Sequence, residues 1–209
     1  MALIDPEEIK DIYKSADQLP PALWDDLDAL APADAAHNSG ATWNGEFFLV
    51  PLIGREYKVD PAQRRVHLLD QPDKPVGFQT GMVLLTALGR SMDLPPSGRM
   101  VTPQELPGGA MFFVGPHALA LPDICAAFGQ EPKAFLQKAL SLGAEKIEGA
   151  DVAVKLPGLP KIPLYVLLWT QDDEFEARSV IGIDAHASFH LALDSIWALT
   201  NILVKRLTT

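Results

Sequence analysis

Hydrophobic spacing along the 209 residues changes period several times, and each change predicts an element. Ile9, Ile12, Tyr13 and Ala16 recur at helical spacing, behind Asp5 as a cap and Pro6, Glu7 and Glu8 in a first turn. Pro20 and Pro21 break that helix and start a second, with Leu23, Trp24, Leu27 and Leu30 inward and Asp25, Asp26 and Asp28 on a solvated face. Residues 33–45, rich in Ala, Asn, Ser and Gly, read as a loop. The pattern then shortens to strands over 47–53, 56–59 and 65–69, joined by turns at Gly54-Arg55 and Asp60-Pro61. Such short connections predict an antiparallel meander, with Pro51 at an edge or a bulge.

A long amphipathic helix follows through Phe78, Met82, Leu85, Leu88 and Met92, and stops at Pro95-Pro96. Residues 111–114 read as a strand. Pro122 and Pro132 each open a helix, the second with Phe135, Leu136, Ala139 and Leu140 inward and Gly143 as its cap. The last third predicts three strands, 151–156, 162–169 and 179–184. The middle one is apolar enough to be buried on both faces, and connections of about five and nine residues make the three antiparallel. A final helix carries Ile196, Trp197, Leu199 and Leu203, with Lys205 and Arg206 at its negative end. Helices and strands are grouped rather than alternating, so the predicted class is α+β, mainly antiparallel sheet with helices packed on it. We expect a single domain over 1–209, with a helical N-terminal segment at 1–45 and the α+β core at 46–209.

Composition narrows the function. Seventeen Lys and Arg against 27 Asp and Glu give a net charge of −10, the wrong sign for a nucleic-acid footprint. Lys and Arg are scattered, with no stripe. The start lacks the basic residues and apolar core of a secretory signal, and no apolar run reaches the roughly 20 residues of a membrane span. A cytoplasmic protein with neither membrane nor nucleic-acid partner is the expectation. Cys125 is the single cysteine and reads as a small buried hydrophobe, which removes disulfide frameworks and thiolate-held clusters. Phosphate-binding Gly-rich loops, H-E-x-x-H, C-x-x-C and G-x-S-x-G are missing from the sequence, and no cofactor is called for.

Two constellations carry chemistry. Trp169 is followed by Thr170, Gln171, Asp172, Asp173, Glu174 and Phe175, three consecutive acids leaving the most buried strand. Crowded carboxylates raise one another's proton affinity or attract a hard divalent cation; the competing reading is a wet polar turn. The second is Asp184 with His186 and His190, two histidines four apart that would share a helix face and suit a transition metal.

The segment Pro160-Lys161-Ile162-Pro163, then Trp169-x-x-Asp172-Asp173-Glu174-Phe175, then Ile183-Asp184, resembles the end of an uncharacterised prokaryotic family, domain of unknown function 3786. Leu52-Ile53-Gly54 with Tyr57, Leu106 to Gly109, Leu142-Gly143 and Gly149-Ala150-Asp151 also match its pattern, while Ile183 stands where the family usually has Phe. His186 and His190 lie outside the pattern. The resemblance implies kinship with proteins of anaerobes, some joined to iron–sulfur segments of corrinoid-linked one-carbon metabolism. This chain has no cysteine cluster of that kind, and the family supplies no catalytic residue. The leading expectation is an accessory or binding protein for an unidentified protein or small molecule, with its site at Trp169, Asp172, Asp173, Glu174 and Asp184. The alternatives are a hydrolase-type or other enzyme using those acids as acid/base groups or divalent-cation ligands, and a structural subunit that buries an apolar surface in a partner.

Overall fold

The computed structural model describes residues 14–209. Most of the first predicted helix lies outside them; Ala16 sits in a single 3-10 turn, Ala16–Gln18, capped by the Ser15 side chain. Helix α1 (Pro21–Asp28) begins at a proline, which needs no hydrogen-bond acceptor at that position. Two of its three acids are engaged at the surface, where Arg64 donates to Asp25 at 2.7 Å and to Asp28 at 2.9 Å.

The segment read as a loop over 33–45 is instead helix α2 (Pro32–Ser39) followed by strand β1 (Thr42–Trp43). Pro32 opens the helix and Gly40, at φ +76°, closes it in the left-handed conformation. Small residues there serve close packing, since a Cβ on Gly40 would stand 2.7 Å from the Pro160 side chain. The three predicted strands form the meander, β2 (Phe48–Leu52), β3 (Arg55–Asp60) and β4 (Arg65–Leu68), and β1 adds a fourth strand that was not predicted; all pair antiparallel in chain order. Pro51 pairs with Glu56 on one side, and β1 reaches only as far as Leu49 on the other, so its missing N–H disrupts no ladder. The first turn falls one residue earlier than Gly54-Arg55. Ile53 and Gly54 take φ of +42° and +68°, and Arg55 already belongs to β3.

Helix α3 (Phe78–Arg90) packs against α1 and α2. Residues 111–114 form no strand: α4 (Gly109–Phe112) is one helical turn, in which Phe112 and Phe113 donate to the Gly108 and Gly109 carbonyls. With those donors satisfied locally, no sheet edge is required. Helices α5 (Leu121–Phe128) and α6 (Pro132–Ser141) follow. Phe135 and Ala139 are fully buried on α6, but Leu140 is 49% exposed because one residue further rotates the side chain off the inner face.

The second sheet has the order β5-β9-β8-β7-β6, all antiparallel, from β5 (Met100–Val101), β6 (Glu145–Ile147), β7 (Val152–Leu159), β8 (Ile162–Trp169) and β9 (Arg178–Asp184). The predicted antiparallel arrangement of the last three strands is therefore present, and the fold is α+β. Helix α7 (Leu193–Thr208) packs against α3 and α5. One core joins Phe48, Val59, Leu84 and Leu88 to Leu156, Leu164, Leu168, Ile183, Leu199 and Leu203.

The two faces of β8 differ. Leu164, Val166 and Leu168 point into that core at 0% exposure. Tyr165 and Leu167 point outward into a smaller cluster with Ala153, edged by Ile147, Ala150, Trp169 and Val180, all from strands and loops. Leu168→Ala is expected to cost about 2–5 kcal/mol by leaving a cavity between sheet and helices. Leu167→Ala should cost less, because neighbouring loop residues can close over the gap. Urea unfolding of both variants checks the order; equal losses would show that the outer face is core of the same kind.

Candidate functional site

The acidic segment leaves β8 and is tied down at once. Thr170 donates its N–H and its hydroxyl to Asp151, both at 2.8 Å, and the Gln171 N–H reaches the Gly129 carbonyl at 2.9 Å. Asp172 closes the turn: its Oδ1 accepts from the N–H groups of Glu174 at 2.8 Å and Phe175 at 2.7 Å, and its own N–H donates to the Phe175 carbonyl. Asp173 and Glu174 stand in solvent and Phe175 is 69% exposed, so the amide-binding acid is Asp172 and Phe175 does not anchor the loop. Trp169 is half-buried, with the guanidinium of its cross-strand partner Arg178 at 4.2 Å over the ring.

Asp184 is elsewhere. It ends β9, six residues beyond Arg178, about 20 Å along the strand from the Trp169 end. It is fully buried and accepts from the Ser97 N–H and hydroxyl, the Gly98 N–H and the His186 N–H, each at 2.9 Å. Burial pushes its carboxyl toward the protonated form, but these donors outweigh it and hold the group below the ordinary 3.8. The structure thus does not bring Asp184 to the acidic turn, and among the described residues no three His, Cys, Asp or Glu gather as metal ligands.

The histidines do not share a helix face either, because a 3-10 turn, Ala187–Phe189, separates them. His186 Nδ1 lies 2.9 Å from the Pro95 carbonyl. His190 is 1% exposed, and neither ring nitrogen has a hydrogen-bond partner among the described residues. Burial, with Lys161 and His186 nearby, pushes its proton affinity down against the opposing pull of Asp184. Cys125 is half-buried rather than buried, its Sγ 3.5 Å from the Ser179 hydroxyl.

The concave feature of interest is basic. A cavity of about 460 Å³ lies between β3, the start of α3 and the end of α7. Arg55, Lys74, Lys205 and Arg206 line it together with Tyr57, while Lys14 and Thr209 complete the rim. Arg55 and Tyr57 alternate by two on β3 and so share a face. Arg206, on the last turn of α7, donates to the Ile53 carbonyl at 3.0 Å, which holds the guanidinium near the hairpin. Among the described residues, no carboxylate forms an ion pair with Arg55, Lys74, Lys205 or Arg206. Burial lowers the proton affinity of Arg206 and the charge of Arg55 adds to this, with Asp70 a weaker opposing influence. Burial likewise raises the Tyr57 phenol, although Arg206 and Arg55 pull it back. Sequence reasoning missed this cluster because its cations come from three distant segments. The readable signals were the Arg55-x-Tyr57 alternation and the Lys205-Arg206 pair, and neither indicates a cavity alone.

Fold and site together define an α+β protein with two antiparallel sheets and a cavity lined by Arg55, Lys74, Lys205 and Arg206. The family model described as "Domain of unknown function (DUF3786)" matches residues 31–206, so the chain belongs to that family. No curated protein matches it, and no solved structure does. No helix among the described residues is long and apolar enough to cross a membrane.

Two expectations concern the buried groups. A carboxyl held below its unfolded value stabilises the fold above about pH 4 and loses that contribution as pH falls through the folded value. Asp184→Asn should therefore cost about 2–4 kcal/mol at neutral pH and less near pH 3, read from urea midpoints. An equal loss at both pH values would mean that the ionised form is not what the amides bind. His190 stays neutral when folded and takes up a proton on unfolding below about 6.5, so stability should decline as pH drops through that region. His190→Leu should flatten that decline in thermal melts; an unchanged slope would show that another group causes it.

Proposed function

We propose that this protein is a binding protein for an anionic small molecule, held in the cavity between β3, α3 and α7. The observation that carries this reading is the convergence of Arg55, Lys74, Lys205 and Arg206 on one concavity in a chain whose net charge is −10. Against that acidic background, the four gathered cations have no ion-pair partner among the described residues. Arg55 and Arg206 repel each other, and Arg206 is half-buried. An anion in the cavity relieves both terms. The volume is that of a small-molecule site, and Leu68, Val76 and Ile202 supply apolar wall beside the charges.

A binding role accords better with the geometry than acid–base chemistry at the acidic turn. Asp172 is occupied with backbone amides, Asp184 is buried at the other end of β9, and Asp173 and Glu174 are in open solvent.

Thermal melts in sodium chloride, citrate and pyrophosphate at equal ionic strength test the reading. A multivalent anion at a hundred times its dissociation constant contributes about 2.7 kcal/mol, a rise of roughly 5 °C or more for a chain of this size. Lys74→Glu and Lys205→Glu, both at exposed positions, should remove the rise. Melts that coincide in all three salts, or a rise that survives both variants, would overturn anion binding in this cavity.

A further inference from the structure

We propose that the anion taken by this cavity is the phosphate group of a phosphomonoester, whose organic part lies against the apolar wall beside it; this rests on the anion-binding reading above. Charge density is the first argument. Arg55 and Arg206 act electrostatically on each other and both act on Tyr57, so their charges are focused on one locus. Lys205 adjoins Arg206 on the chain, and Lys74 lines the same cavity. A single carboxylate, with one negative charge, leaves most of this set unmatched. A phosphomonoester concentrates about −1.5 to −2 on one tetrahedral group at neutral pH, which a focused cluster matches and two separated carboxylates do not.

Donor geometry is the second argument. The start of α3 lines the cavity at Gly77, Phe78, Gln79 and Thr80. The cap residue is Gly77, without a side chain to close the first turn. The Phe78 N–H donates to the Lys14 carbonyl, and the Gln79 and Thr80 N–H groups have no intrahelical acceptor. Those amides, the Thr80 hydroxyl, the Tyr57 hydroxyl and two guanidinium forks offer donors from several elements, as a tetrahedral group with three terminal oxygens requires.

The third argument is space. At about 460 Å³ the cavity is far larger than a free phosphate needs, and Leu68, Val76, Phe78 and Ile202 line the remainder. Leu68 and Val76 are buried in the wall, whereas Ile202 is half-buried and presents apolar surface to an occupant. A ligand with a charged head and a flat or apolar body fills both parts.

Calorimetric titration of the full chain with phenyl phosphate, inorganic phosphate and phthalate tests the assignment. Phenyl phosphate should bind about tenfold or more tightly than either of the others, and Arg55→Gln or Lys74→Gln should each weaken it by about tenfold or more. Lys74 is exposed on a loop, so that variant remains informative even where Arg55→Gln disturbs β3. Phthalate binding as tightly as phenyl phosphate would overturn the phosphate assignment while leaving anion binding intact. Inorganic phosphate matching phenyl phosphate would overturn the phosphomonoester in favour of the free ion. Binding of none of the three, together with coincident melts in citrate and pyrophosphate, would remove the anion-binding reading itself. Phenyl phosphate binding that both variants leave unchanged would place the ligand outside this cavity and overturn the proposal.

Discussion

The hairpin tip at Ile53 is the constraint on which the rest of the structure turns. A β-branched residue at φ +42° is costly, and it persists only where the surroundings over-determine it. They do so here from three sides. The Ile53 N–H donates to the Gly158 carbonyl at 3.0 Å, its carbonyl accepts from Arg206, and its side chain is 1% exposed. Gly158 lies at the register shift of β7, between Pro157 and Leu159, where the irregular pairing frees a carbonyl for another sheet. Gly54 follows with its Cα close to the Leu142 backbone, where a Cβ would come within 3.1 Å, so only glycine completes the turn without displacing α6. One two-residue turn thus joins the four-stranded sheet, the five-stranded sheet and α7.

The same clasp arranges the cavity. Arg55 is the first residue after the turn and Tyr57 lies two residues on along the same face, while Arg206 is drawn toward them by the Ile53 carbonyl. A cation fixed by a neutral acceptor keeps its charge available, in contrast to Arg64, whose two aspartates neutralise it at the surface. The protein's acids are spent differently. Asp184 organises the approach to β5 by accepting from residues 97, 98 and 186, and Asp172 and Asp151 shape the turn after β8. Carboxylates bonded to backbone amides are structural members, supplying acceptors near strand ends.

Much of the framework was legible from the order of residues alone. Two periods, 2 for strands and 3.6 for helices, together with proline and glycine punctuation, located the meander, α3, α5, α6, α7 and the three long strands, because those signals act over a few neighbouring residues. Short connections were enough to make β7, β8 and β9 antiparallel. Local reading failed where composition imitates a loop, as at Pro32–Ser39, or where an apolar run is too short to show its period, as at Gly109–Phe112. Membership of the family is shown by a match that spans residues 31–206.

Tertiary structure alone decided the site. Three consecutive acids announce themselves in a sequence, yet on the turn only Asp172 bonds backbone amides, while Asp173 and Glu174 stand in solvent. Arg55, Lys74, Lys205 and Arg206 announce nothing, being spread over 150 positions, and become one feature only when β3, the start of α3 and the end of α7 meet. Charge acts through space at a range of several ångströms, so chain distance carries no information about it. What the sequence determined by itself was which segments are helix or strand and which face of each is apolar. Which cations share a cavity was decided only when those faces packed.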